Sequence, residues 1–280
     1  MGKDQNIFDT KIAYRERGQG EVLILLHGFG GSVLHWEEMA SILSTQFRVI
    51  VPNLSHLFMG RNLSFSQQIQ IVGHFIKTHF PNDGVHVAGI SYGAAIAWGL
   101  SVKHPELIKK AVFINPMPPQ ASDHINIPVL KYFFRLPLNV EMIYQFLRLP
   151  VGKIFLKKVA EVFRTERVDG IGRLDSLKGR KLMFVSQMIF NFSYMLRNED
   201  WTSWSQQLNA ILLPTLMIYD GRDPLFKRSG YIRFASQIRC KELLEVTGAG
   251  HIAIQKEPVV ISAAIESFIK NDFIYQAQGF

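Results

Sequence analysis

GVHVAGISYGAAIAWGL, residues 84–100, changes character half-way along. GVHVAGIS (84–91) is a short, nearly continuous apolar run, as a strand buried on both faces of a parallel sheet should be. YGAAIAWGLSVKHP (92–105) is rich in alanine and reads as a helix that Pro105 closes. Between the two stands Gly89-Ile90-Ser91-Tyr92-Gly93. A Gly-x-Ser-x-Gly pattern alone is weak and arises by chance in many chains. Between a strand and a helix it places the serine in a sharp turn, where small neighbours relieve crowding. It also sets Ser91 at a helix N-terminus, whose partial positive charge favours developing negative charge. The plainer alternative is a glycine-rich turn with a capping serine; the strand-to-helix setting favours a nucleophile.

The same alternation extends outward in both directions. Upstream, EVLILLHG (21–28) and FRVIVPNL (47–54) read as strands. HWEEMASILSTQ (35–46) and SFSQQIQIVGHFIKTHF (64–80) have the spacing of amphipathic helices, the second with Ser64 or Ser66 as cap. TKIAYRERG (10–18) is an extended segment suited to a sheet edge. Downstream, LIKKAVFINP (107–116), PTLMIYDGRD (214–223) and CKELLEVTG (240–248) read as strands, and EPVVISAAIESFIK (257–270) as a helix. Strands alternating with helices predict a mostly parallel α/β sheet covered on both faces. Residues 118–205 break the rhythm and read as helices with proline breaks at 128, 137 and 150. The expected architecture is a core of residues 1–117 and 206–280 with a helical cap, 118–205, over the carboxyl ends of the strands, where open α/β sheets bind ligands.

A nucleophilic serine needs a base, and the base needs an orienting carboxylate. Of nine histidines, His251 alone sits in a short glycine-rich loop, TGAGH, between a strand and the last helix. Asp223, in YDGRDPL after the strand TLMIY, is the expected carboxylate. Asp220, at the strand end, is the runner-up, because Gly221 lets the chain turn so that the later residue reaches the site. His27-Gly28-Phe29-Gly30-Gly31 follows the strand EVLILL. Its glycines allow backbone amides to turn toward a ligand. The backbone N–H groups of Phe29 and Tyr92 are the candidates for an oxyanion hole, and His27 is expected to brace the loop.

With these residues in place, the chain resembles the α/β-hydrolase fold superfamily, in its serine esterase and lipase-like branch with a helical cap. The order Ser91, Asp223, His251 matches that family's nucleophile, acid and histidine. HGFGG, GISYG, GRDP, and GH followed by KEP look like its motifs, and the likeness runs from about Tyr14 to Ile269. Two departures stand out. Asn53-Leu54-Ser55-His56 and LFMGRNLS replace the family's usual Asp-x-x-Gly-x-Gly-x-Ser stretch. Asn115 occupies a place where some relatives carry the acid, and an amide cannot serve as that carboxylate. The resemblance implies a serine hydrolase cleaving carboxylic esters without metal or organic cofactor; the phenylalanine, leucine, isoleucine and methionine stripes of residues 118–205 favour an apolar pocket under the cap, and with it apolar, medium-chain acyl groups. The rivals are a carbon–carbon bond hydrolase with the same fold and a ligand-binding or receptor protein with slow turnover.

Composition narrows the setting. Of 280 residues, 48% are hydrophobic and 19% charged, which excludes a disordered chain. A single cysteine, Cys240, excludes an intrachain disulfide and fits a reducing compartment. The first residues lack the apolar stretch of a secretory signal, so a cytoplasmic protein is expected. The net charge is +8, yet no nucleic-acid module is present and none is expected as partner. LMFVSQMIFNFSYML (182–196) is too short and too polar for a membrane span. Residues 118–205 hold 13 basic and 8 acidic residues, a surplus that suggests peripheral contact of the cap with an anionic membrane surface.

Overall fold

The apolar runs that read as strands lie side by side in one seven-stranded sheet. The computed structural model describes residues 11–58, 62–81, 84–162, 167–168, 172–173, 177–239 and 242–271. Cys240, residues 1–10 and part of the LFMGRNLS stretch lie outside the described residues. In chain order the strands are β1 (Tyr14–Arg17), β2 (Val22–Leu26), β3 (Arg48–Pro52), β4 (Val85–Ile90), β5 (Ile108–Ile114), a separate two-stranded pair β6 (Arg167–Val168) and β7 (Gly172–Arg173), then β8 (Thr215–Asp220) and β9 (Glu242–Val246). The sheet order is β1-β3-β2-β4-β5-β8-β9. Every neighbour pair in it is parallel except β1 with β3, an antiparallel edge.

Side-chain alternation sorts the strand residues onto two faces. On β2, Leu23 and Leu25 join one apolar cluster and Ile24 and Leu26 the other. Helices α1 (Glu37–Leu43), α11 (Ala253–Lys256) and α12 (Pro258–Lys270) cover the first face; α2 (Phe65–His79), α3 (Tyr92–Lys103) and α10 (Arg228–Ser236) cover the second. β4 is buried along its whole length, as a central strand covered on both faces must be.

Helices α4 (Ala121–His124), α5 (Pro128–Arg135), α6 (Val140–Arg148), α7 (Pro150–Val162), α8 (Gly179–Asn198) and α9 (Trp201–Gln207) fall between β5 and β8. Their buried side chains share a cluster with α2 and α3. The segment is mainly helical, as expected, but also contains the pair β6–β7, which its sequence did not suggest. Residue 205 lies inside α9, and that helix packs on the core: the Trp201 and Trp204 rings meet Phe65, and Trp204 meets Trp98. Glu199, just before α9, ties the segment down. Its carboxylate accepts from Phe65 N (2.8 Å), Ser66 Oγ (2.8 Å) and Trp204 Nε1 (2.8 Å). Ser64 caps α2 through a capping box with Gln67, so Ser66 is left for Glu199. No helix among the described residues is long and apolar enough to cross a membrane, α8 included.

Candidate active site

Ser91 lies between β4 and α3 with φ 55° and ψ −116°, a backbone conformation costly for a residue with a side chain. The surroundings hold it there. Ser91 N donates to Ile114 O (3.0 Å), and Ser91 O accepts from Ala95 N (3.1 Å) and Met117 N (3.0 Å). The flanking glycines are required by close approach: a Cβ on Gly89 would overlap the Gly93 carbonyl, and one on Gly93 would overlap the Leu26 carbonyl. The motif therefore brings α3 directly onto β2 and leaves Ser91 at the carboxyl end of the sheet.

The TGAGH loop brings His251 against this serine. His251 Nε2 is 2.8 Å from Ser91 Oγ, and Nδ1 is 2.7 Å from Asp223 Oδ2. Asp223 accepts further bonds from Leu225 N (2.6 Å) and Phe226 N (3.2 Å) at Oδ1, and from the Tyr231 hydroxyl at Oδ2. Burial pushes the Asp223 carboxyl up, but His251 and these donors outweigh it and hold the group below the usual carboxylate range. An ionised Asp223 favours the tautomer with hydrogen on Nδ1. That leaves the Nε2 lone pair facing the serine hydroxyl. The Phe226 ring stands edge-on against the imidazole, centroids 5.7 Å apart.

The Asp220 carboxylate bonds to backbone. Its Oδ1 accepts from Arg222 N (2.7 Å) and its Oδ2 from Gly250 N (2.6 Å). Asn115 works on the same loop: its amide donates to Gly250 O (2.9 Å) and His251 O (2.9 Å), and its Oδ1 accepts from Asp220 N (2.8 Å). Both side chains are fully buried. The runner-up acid and the departure at 115 thus form one bracket that holds the backbone on either side of the imidazole. Neither residue type announces this role, since it depends on contacts with Gly250, thirty residues from Asp220 and more than a hundred from Asn115.

His27 braces its loop. Nδ1 donates to Gly28 O (2.9 Å) and Nε2 accepts from Leu54 N (2.9 Å). Burial, with a smaller push from nearby His35, lowers its pKa from 6.5 to about 4. Asn53, in place of the usual aspartate, accepts from Ser55 N (3.0 Å) and so shapes the loop after β3. The HGFGG turn closes through Gly31 N to Gly28 O (3.1 Å), and a Cβ on Gly28 would lie 3.2 Å from Ser91 Cβ.

Phe29 and Tyr92 border the same cavity as Ser91. This cavity has a volume of about 80 Å³, and none of the described residues that line it is charged. Met117, Leu225 and Phe226 line it from the core side; Leu130, Phe134 and Phe192 line it from the helical segment. Phe192 stacks on Phe29 at 4.1 Å and meets Tyr92 edge-on at 5.7 Å. The Tyr92 hydroxyl donates to Gln68 Oε1 (2.6 Å). Phe146 packs on Phe133 and Phe155 and does not line the cavity. A second, wider cavity of about 730 Å³ adjoins the first and has His251, Asp220 and Gly250 in its wall. Leu130, Phe155 and Val159 belong to both linings.

Residues 21–258 match the family described as the alpha/beta hydrolase fold. The chain belongs to that family. This α/β hydrolase is 33% identical over 105 residues to (E)-2-((N-methylformamido)methylene)succinate hydrolase of Acinetobacter baylyi, a match covering 36% of this chain and 40% of that protein. It is 24% identical over 235 residues to 2-hydroxy-6-oxo-6-phenylhexa-2,4-dienoate hydrolase of Comamonas testosteroni, covering 80% and 78%. Among solved structures, a thermophilic esterase from Thermogutta terrifontis superposes with a TM-score of 0.68 at 17% identity, over 92% of this chain and 93% of that one. At that identity the likeness speaks for the fold of this hydrolase alone.

Proposed function

We propose that this α/β hydrolase cleaves carboxylic esters of apolar acyl groups through an acyl-enzyme on Ser91. The observation that carries the reading is the continuous hydrogen-bonded path from Ser91 Oγ through His251 to Asp223, with Ser91 on a cavity whose described lining residues are uncharged. His251 Nε2 takes the Ser91 proton as Oγ attacks the ester carbonyl. The carbonyl oxygen becomes an oxyanion, met by the backbone N–H groups of Phe29 and Tyr92; one such donor is worth about 3 kcal/mol. Asp223 stabilises the imidazolium. The tetrahedral intermediate collapses as His251 gives its proton to the leaving alkoxide. Water then repeats the sequence on the acyl-enzyme and releases the acid. No step requires a metal or cofactor.

The cavity beside Ser91 holds roughly the volume of two or three waters. A medium-length acyl chain therefore extends past Leu130, Phe155 and Val159 toward the wider cavity. Each methylene buried adds about 0.8 kcal/mol, roughly fourfold in kcat/KM, until the space is full. A series of nitrophenyl esters tests this: kcat/KM rises with acyl length, passes through a maximum at medium length and then falls, and Phe134→Ala moves the maximum. A flat profile from acetyl to long chains, unchanged by Phe134→Ala, contradicts it.

Two observations favour a second reading, carbon–carbon bond hydrolysis by the same residues. A relative aligned over 80% of this chain is named for a dienoate substrate. Lys158 and Arg222 also line the wide cavity and suit a carboxylate. Turnover of a dienol-acid without activity on nitrophenyl esters supports that reading over the first.

A further inference from the structure

The outward face of α7 is divided along its length. Gly152, Phe155 and Leu156 are buried against the rest of the protein, whereas Val151 and Ile154 are 56% and 59% exposed. At 3.6 residues per turn, Val151, Ile154 and Lys158 fall on one edge of the exposed face and Lys153 and Lys157 on the other. The first edge borders the mouth of the wide cavity. Leu149, just before the helix, is 53% exposed. Water-exposed aliphatic side chains gathered at a cavity mouth are costly unless something covers them.

The flanking charges indicate what does. Across α5 to α7, residues 128–162, six basic residues stand against two acidic ones. Arg135 pairs with Asp123. Lys153, Lys157 and Lys158 make no ion pair among the described residues. Apolar side chains beside exposed lysines on one helix face match a surface of anionic headgroups over acyl chains. A second copy of this chain would bring the same lysines together and be repelled at this face. The wide cavity supplies continuity: its lining runs from Val151, Ile154 and Lys158 on this edge to His251.

We propose that α7, with Leu149 before it, docks on the surface of an anionic lipid bilayer, so that the wide cavity opens toward the membrane and receives apolar esters from it. This rests on the proposed ester hydrolysis only for the identity of what enters. The docking itself is a binding property and is measured separately.

The test is co-sedimentation of the full chain with phosphatidylglycerol vesicles and with phosphatidylcholine vesicles, at low and high salt. Binding to the anionic vesicles is expected, weaker at high salt and weak on the neutral ones. Each lysine near such a surface contributes about fivefold, so Lys153→Glu with Lys157→Glu should weaken binding at least tenfold. Leu149→Asp should weaken it as well. The double lysine variant should keep the wild-type rate on a water-soluble ester, since neither residue lines the narrow or the wide cavity. Loss of vesicle binding with that rate intact separates docking from catalysis. Equal binding to both vesicle types, binding unchanged in these variants, or a dimer that Leu149→Asp dissociates would overturn the proposal.

Discussion

Asp220 and Asp223 are three residues apart and both buried, yet their oxygens are spent on different tasks. Asp223 faces the imidazole with four donors around it, while Asp220 holds the backbone at Arg222 and Gly250. Asp223→Asn removes the charge that fixes the His251 tautomer and should lower kcat by about 10⁴-fold. Asp220→Asn leaves the tautomer alone and should cost far less. Steady-state kinetics on the two folded variants checks the order, and a more damaged Asp220 variant would reverse the assignment. At this scale the sequence was informative where chemistry demands a residue type in a turn, as at Ser91, Asp223 and His251. It was silent on Tyr231, which donates to Asp223 from α10. Nothing in RSGYIRFAS distinguishes a tyrosine aimed at a carboxylate from one packed in a core. Gln68, the partner of the Tyr92 hydroxyl, was hidden in the same way on α2.

The elements follow from patterns that repeat within them, and were legible where the pattern is strong. All seven strands of the main sheet coincide with apolar runs or, for β1, with an extended edge segment. Helix α10 was not foreseen, because its nine residues mix arginine, serine and glycine with only three large apolar side chains. The loops between elements depend on single side chains, and His27 offers a direct test. Its folded pKa of about 4 lies below the ordinary 6.5, so between those values the unfolded chain binds more protons than the folded one. The stability tied to neutral His27 is therefore complete above pH 6.5 and is lost as pH falls toward 4. The full loss is on the order of 3 kcal/mol. Burial also lowers His86, which adds slope of the same sign. Denaturant melts across pH 4–7 should show a shallower pH dependence for His27→Gln than for the wild type. Parallel slopes would mean that His27 carries no such linkage.

For the whole molecule, the core sheet delivers Ser91, Asp223 and His251 to one end, and the helices between β5 and β8 enclose that end. The enclosure divides into a narrow, largely apolar cavity at the serine and a wide one at the histidine. This division could not be read from the sequence: the stripes of phenylalanine and leucine favour an apolar pocket under the cap but do not divide it in two. Phe134 lines the narrow cavity while Phe146 packs the cap, although both occur in similar helical runs. The central claim is that this enclosed serine is a working nucleophile. Treatment of the folded protein with a fluorophosphonate, followed by intact-mass measurement and peptide mapping, tests it most directly. One adduct per chain, on the peptide containing Ser91 and absent in Ser91→Ala, is the expected result. An unlabelled wild-type protein, or labelling that persists in Ser91→Ala, would contradict it.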